Sequence, residues 1–388
     1  MNNYQGEEDY IEPEEGNEHI KIENPFNPND ININIVTRTI GQLIDMLRYD
    51  EIIIPPYQRL PNLWNVKQKS RFIESLMLNL PIPLFYFDEA EDKKWRVIDG
   101  LQRMSALEHF VLSGSKDKTI SGNETALVLD NLEFKTEYNG RKWDGKEGEG
   151  LPRDIQRRIE VCQVTINLIQ KGTPDEVKYS IFSRINQGGI ELKAQEIRTA
   201  LFQGYKVDFL KKLISSDTTA GRSFILATNA SVPSRRQEDL DFATRFISFY
   251  ILGYEKYEPD MDLFQIKGTK SIPNETAMLD NICQSFQEAM QLSYDIFGQD
   301  AFRKITNSDS RWTRINKALF EVMSVYFAKL NPLEKEKLLS KRNDFKHGFI
   351  ELQRDEAFWN AITTGTASKD SVRKRHELFK ELLNKFIK

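Results

Sequence analysis

The spacing of apolar positions changes along the chain. Up to about residue 205, strand-like alternation is interleaved with helical spacing; beyond Gly204 only helical spacing continues. Ile31, Ile33 and Ile35 alternate with asparagines, which predicts a strand. Thr39 with Gln42 forms a capping-box pattern ahead of Leu43, Ile44 and Leu47, which predicts a helix. Ile52, Ile53 and Ile54 read as a short strand stopped by Pro55 and Pro56. Asn65 and Gln68 open a second helix with Phe72, Ile73, Leu76 and Leu80 on one face, ended by Pro81 and Pro83. Two strands follow, 84–87 and 95–98, across a polar turn. Asp99-Gly100 ends the second of these, and a helix is predicted over 102–112. Residues 113–151 read as a long loop or insertion, and Cys162, Val164, Ile166 and Leu168 as another strand. Thr173-Pro174-Asp175-Glu176 is a helix start, Asn186-Gln187-Gly188-Gly189 a break, and 194–202 a further helix.

Beyond that point helices are predicted over 236–253, 276–295, 311–330, 333–345, 353–363 and 370–387. The fold class is therefore α+β, a mixed N-terminal half followed by an all-α C-terminal half. Three segments are expected: an acidic, mobile tail over 1–24, an α+β domain over 25–205 and a helical domain over 206–388.

Charge sharpens this division. Residues 1–20 hold seven acids and no lysine or arginine, whereas the remainder carries 54 basic against 51 acidic residues. A wholly basic nucleic-acid binder is excluded, but basic patches on a near-neutral body are not. Two distant cysteines, Cys162 and Cys283, are too few for a disulfide scaffold or a cysteine-rich zinc site. No apolar run reaches the ~18–20 residues that span a bilayer, and the N-terminus lacks a signal-peptide pattern. A cytoplasmic protein without membrane partners is the expectation.

The strongest chemical candidate is Asp99-Gly100-Leu101-Gln102-Arg103, where a strand delivers an acid, then a glycine, then a helix start. First-turn amides and the helix dipole favour an anion, and a glycine lets a phosphate approach the backbone. Arg103 could fork onto phosphate oxygens, Asp99 could hold a divalent cation and Gln102 could orient a water. A plain Asp-Gly turn with a solvated arginine is the competing reading. No P-loop pattern is present.

Several segments recur in a familiar order: Tyr57-Gln58-Arg59, Trp64, 69–76, Asn79-Leu80-Pro81-Ile82-Pro83, Asp99-Gly100-Leu101-Gln102-Arg103, Arg184-Ile185-Asn186 and Gln195-Glu196-Ile197-Arg198. Over roughly residues 30–205 the chain resembles the ParB/sulfiredoxin-like domains that form the N-terminal, S-type part of GmrSD modification-dependent restriction enzymes. The resemblance implies a ParB-like α+β fold with a small mixed sheet and a role in anti-phage defence. It also implies binding, and often hydrolysis, of a nucleoside triphosphate with Mg2+, the base being undetermined. It assigns Asp99, Gln102 and Arg103 to catalysis and Asp99 to the metal. Gly100, Arg59, Gln58, Tyr57, Arg184 and Asn186 are assigned to the nucleotide. The family signature usually reads Asp-Gly-Gln-Gln-Arg; Leu101 replaces its first glutamine, which bears on turnover more than on binding.

In the helical half, Arg235, Arg236, Arg311, Arg314, Arg373 and Arg375 are candidates for tracking a DNA backbone, against the alternative of a solvated face. Glu196 and Arg198 read as a helix-surface pair. His19, His109, His347 and His376 form no nuclease-like constellation and read as surface or boundary residues. The expected partners are a nucleotide, DNA, a nuclease or other defence effector in trans, and a second copy of the chain. The alternatives are a non-hydrolysing DNA-binding regulator and, more remotely, a ParB-like nuclease.

Overall fold

Thr39 and Gln42 do form a reciprocal capping box, closing a strand and opening a helix in one step: β1 (Ile33–Thr39) runs directly into α1 (Ile40–Arg48). The computed structural model describes residues 11–12, 32–53, 64–90, 93–112, 125–185, 193–202, 204–305 and 313–388. The chain divides into two compact units, Pro25–Leu192 and Lys193–Lys388, the latter together with Met1–Asn24.

In the first unit β2 (Ile52–Ile53) precedes α2 (Val66–Met77), which opens on a second capping box from Asn65 and Gln68. β3 (Phe85–Glu89) and β4 (Trp95–Asp99), the two strands read from the sequence, pair antiparallel. β4 leads through Gly100 into α3 (Leu101–Leu107). The predicted helix does not continue regularly to 112; a π-helical turn occupies Glu108–Leu112. α4 (Arg153–Val161), β5 (Gln163–Ile169) and α5 (Asp175–Ile185) complete the unit.

The five strands form one mixed sheet in the order β1-β5-β3-β4-β2. β1 and β5 are antiparallel, β5 and β3 parallel, and β4 and β2 parallel. Its core joins Ile40, Leu43, Phe72, Leu76, Phe85, Phe87, Val97, Met104, Leu107 and Ile166. The isoleucine alternation located β1 but not its inward face. Ile35 is 70% exposed on this edge strand, and Val36 packs on the core instead. The described part of the expected long loop is tied to α2. The Glu74 carboxylate accepts the amides of Glu133, Phe134 and Lys135, and the Ser70 hydroxyl accepts that of Asp130. Burial opposes ionisation of Glu74, but those three amides outweigh it and hold its carboxyl below the usual range.

The second unit contains α6 (Ala194–Leu201), α7 (Tyr205–Ile214), α8 (Thr219–Ala227), α9 (Glu238–Leu252) and α10 (Met261–Lys270). It continues with α11 (Thr276–Phe297), α12 (Lys317–Ala328) and α13 (Pro332–Ser340). α14 (Arg342–Arg354), α15 (Glu356–Thr363) and α16 (Lys369–Ile387) end the chain. Phenylalanines dominate its core, among them Phe224, Phe242, Phe246, Phe286 and Phe320. The packing boundary lies at residues 192–193 rather than 205, because α6 is held in this unit by ion pairs. Arg198 reaches Asp241 and Asp262 at 2.6 Å each, and Arg236 reaches Glu196 at 2.7 Å. Glu196 and Arg198 are thus buried ties between helices, not the surface pair that the sequence suggested.

A second charged group lies deeper. Glu321 on α12, fully buried, accepts from Arg245 at 2.9 Å, from Arg375 at 2.8 Å through each oxygen, and pairs with His376 at 2.9 Å. Burial pushes the Glu321 carboxyl up, but the Arg375 and Arg245 guanidinium groups outweigh it and hold it at about 2, below its ordinary 4.5. A depressed carboxyl stabilises the fold above its unfolded range, and that stability is lost as pH falls from about 4.5 towards 2. Unfolding of the helical unit by urea at about pH 5 and about pH 3 should show the loss, and Glu321→Gln should flatten the difference.

Candidate functional site

β4 ends at Asp99, and the chain turns through Gly100 at φ +97° and ψ +11° before α3 begins. Glycine is required here twice over. The backbone is left-handed, and a Cβ would stand 2.4 Å from the Phe85 ring and 3.2 Å from the Arg103 guanidinium. No side chain caps this first turn. Asp99 is half-exposed, with 45% of its side chain open to solvent.

Arg103 is not directed outward. It lies 8% exposed, folded back beneath the turn, with its guanidinium 4.2 Å over the Phe85 ring. It donates to the carbonyls of Pro83 and Leu84, the latter at 3.0 Å, and to Asp99 Oδ2 at 2.9 Å. Burial lowers the tendency of Arg103 to hold its proton, and Asp99 partly restores it. The expected phosphate fork is thus a brace in this structure: it ties β3, the turn and α3 together and orients Asp99. Gln102 is also partly engaged, its Oε1 accepting the Trp64 amide at 3.3 Å. Trp64 itself packs at 5.8 Å on Phe72 of α2.

The other expected residues divide. Tyr57, Gln58, Arg59 and Asn186 lie outside the described residues. β2 pairs with β4, Ile53 standing opposite Arg96, and Trp64 is joined to Gln102. Arg184 is exposed in the last turn of α5. α5 is fastened to the sheet by Lys178, which reaches the buried Asp88 of β3 at 2.6 Å. Burial raises the Asp88 carboxyl, partly offset by Lys178.

Sequence reasoning missed a second polar group in this unit. Lys69 of α2, buried, contacts His109 Nδ1 at 3.1 Å on the π-helical turn, and His109 Nε2 lies 2.9 Å from the Thr125 carbonyl. Burial lowers the proton affinity of both Lys69 and His109, so the imidazole sits neutral, accepting at Nδ1 and donating at Nε2. The only signal in the sequence was a lysine on the helix face that also carries Ser70 and Glu74.

In the helical unit, Arg235, Arg314 and Arg373 are exposed, Arg373 being paired with Asp370 at 2.8 Å. Arg311 lies outside the described residues. Arg236 is turned onto Glu196. Arg375 must be withdrawn as a DNA contact: it is fully buried against Glu321, because its position on α16 faces the core. His376, read as a boundary residue, is buried beside it and stacks at 4.8 Å on Tyr254.

Among the described residues no group of three or more His, Cys, Asp or Glu side chains could hold a metal ion, and no helix is long and apolar enough to cross a membrane. No curated protein and no solved structure matches the chain. A family model does: residues 40–203 match the N-terminal domain of the GmrSD restriction endonuclease. Over residues 40–203, which include the Asp99-Gly100 turn and its arginine brace, the chain is thus similar to the GmrSD restriction endonuclease N-terminal domain family.

Proposed function

We propose that the restriction-type domain binds a nucleoside triphosphate at the Asp99–Gln102 turn and hydrolyses it in the service of phage defence. The observation that carries this reading is the uncapped helix start at Gly100, where a left-handed glycine keeps the backbone free of side-chain bulk beside a half-exposed carboxylate. Phosphates would approach the turn at Gly100 and Leu101. Arg103, already committed to Asp99 and two carbonyls, acts as a positioning residue rather than a phosphate ligand. A single carboxylate does not make a protein cage for a metal, but it suits a Mg2+ that arrives with phosphates and keeps several waters. Asp99 is the group that would hold it.

The test is a thermal-shift and phosphate-release panel across nucleoside triphosphates with Mg2+. Binding to the folded state alone raises stability by about 2.7 kcal/mol at a hundredfold excess over Kd, so a specific nucleotide should stand out. Asp99→Asn keeps the size and an acceptor for Arg103. It is expected to lower phosphate release by roughly 10²–10⁴-fold, with little change in melting temperature. No shift with any nucleotide, or unchanged release in Asp99→Asn, would reject the reading.

DNA contact by the helical unit is a second reading, supported by the exposure of Arg235, Arg314 and Arg373. Retention on duplex DNA that falls steeply with salt would favour it. A nuclease or other effector in trans would then supply the cutting step.

A further inference from the structure

Two residues of the acidic N-terminal stretch are anchored. Ile11 and Glu12, the two residues of it that are described, sit on the helical unit. Ile11 forms a parallel bridge with Ile315, which on its other side pairs antiparallel with Arg303. The Ile11 side chain packs half-buried against the helical core. The Glu12 amide donates to the Ile315 carbonyl at 2.9 Å. Its carboxylate takes two further contacts, Lys304 Nζ at 2.7 Å on Oε1 and Asn316 Nδ2 at 2.7 Å on Oε2.

The receiving side is built for a carboxylate. Asn316 is 4% exposed and cannot rotate freely: its Oδ1 caps α12 through the Leu319 amide at 2.8 Å, and its Nδ2 also donates to the Ile362 carbonyl at 2.7 Å. The remaining Nδ2 hydrogen therefore points at Glu12 by construction. Lys304 is mostly buried, and its ammonium stands 5.0 Å over the Trp359 ring. Take Glu12 away, and a buried amide hydrogen and a poorly hydrated ammonium both lose their acceptor. One backbone hydrogen bond, one apolar contact and one carboxylate are the elements of strand-addition recognition of a short peptide.

We propose that Lys304, Ile315, Asn316 and Trp359 form a recognition site for an extended aliphatic–acidic peptide, and that Ile11–Glu12 is its resident, displaceable ligand. The acidic stretch is then a clip on the helical unit, held there because tethering gives it an effective concentration in the millimolar range. A partner segment with an aliphatic residue followed by Glu would dock only by displacing it. This proposal does not depend on nucleotide binding, which is tested separately.

The probe is a fluorescent peptide spanning residues 6–18 of the chain. The receiver is the full-length protein carrying Ile11→Gly and Glu12→Gln, and in parallel a chain lacking residues 1–12. Saturable binding to either emptied site is expected, with at least tenfold weaker binding to the wild type, whose own segment competes. The peptide carrying Glu12→Lys should bind at least tenfold more weakly than the unaltered one. Absence of binding at about 1 mM peptide, equal binding to the wild type, or indifference to Glu12→Lys would overturn the proposal. Failure of both emptied chains to fold would also overturn it, since the segment would then be part of the fold rather than a ligand.

Discussion

Glu321→Ala is expected to destabilise the helical unit by about 3–5 kcal/mol, the cost of removing one partner from a buried charged group. The carboxylate is fully buried and receives Arg245, Arg375 and His376 together. Truncation leaves two guanidinium groups in the core beside aromatic rings, without the anion that offsets their desolvation. For a unit of this size the loss corresponds to roughly 6–20 °C in melting temperature. Glu321→Gln keeps the shape and part of the hydrogen bonding but not the charge, and should fall between Ala and wild type. The measurement is urea and thermal unfolding of the full chain near pH 7, followed in the helical unit by hydrogen exchange. A loss below about 1 kcal/mol would mean that the surrounding groups relax to water, contrary to their burial. Because α9, α12 and α16 each contribute a side chain to this group, the destabilisation should appear in all three helices at once.

Arg103→Ala should be the most damaging single change at the turn, and in the absence of any nucleotide. The side chain joins the carbonyls of Pro83 and Leu84 to Asp99 and covers the Phe85 ring. Its removal leaves those acceptors without their donor and opens a cavity beneath Gly100, at an expected cost of about 2–4 kcal/mol. Faster hydrogen exchange along β3, β4 and α3 is the direct readout. Arg103→Lys would restore one donor but not the forked geometry, and should recover only part of the loss. Loss of nucleotide affinity in Arg103→Ala would by itself be uninformative, since a disordered turn binds nothing. Unchanged nucleotide-free stability together with lost affinity would return the guanidinium to the phosphates and displace the brace described above.

What was legible in the sequence was what depends on near neighbours. Thr39 with Gln42 and Asn65 with Gln68 marked two helix starts, and both capping boxes are formed. Gly100 marked the strand-to-helix turn, because only glycine adopts that backbone against Phe85. Several helices were not read, α4, α7, α8 and α10 among them. α4 buries only Ile155, Gln156 and Ile159 amid charged residues, and α10 buries Gln265, Gly268 and Thr269 beside its apolar positions. A polar residue inside a helix interface erases the pattern by which such helices are recognised.

The direction of the long charged side chains was decided by tertiary structure alone. Arg103, Arg198 and Arg375 each read as an exposed or ligand-facing group, and each is buried against a carboxylate. The partners of Arg198 and Arg375 lie 43 and 54 residues away along the chain. Period, caps and turns are set within a few residues, so the sequence by itself determined the elements that carry those signals and the place of the Asp99-Gly100 turn. Whether a guanidinium there meets water, a phosphate or a buried acid depends on which distant helix or carbonyl the fold brings alongside. Only the packed molecule resolves that, because desolvating a charge is tolerable solely where its counter-charge has been brought within reach.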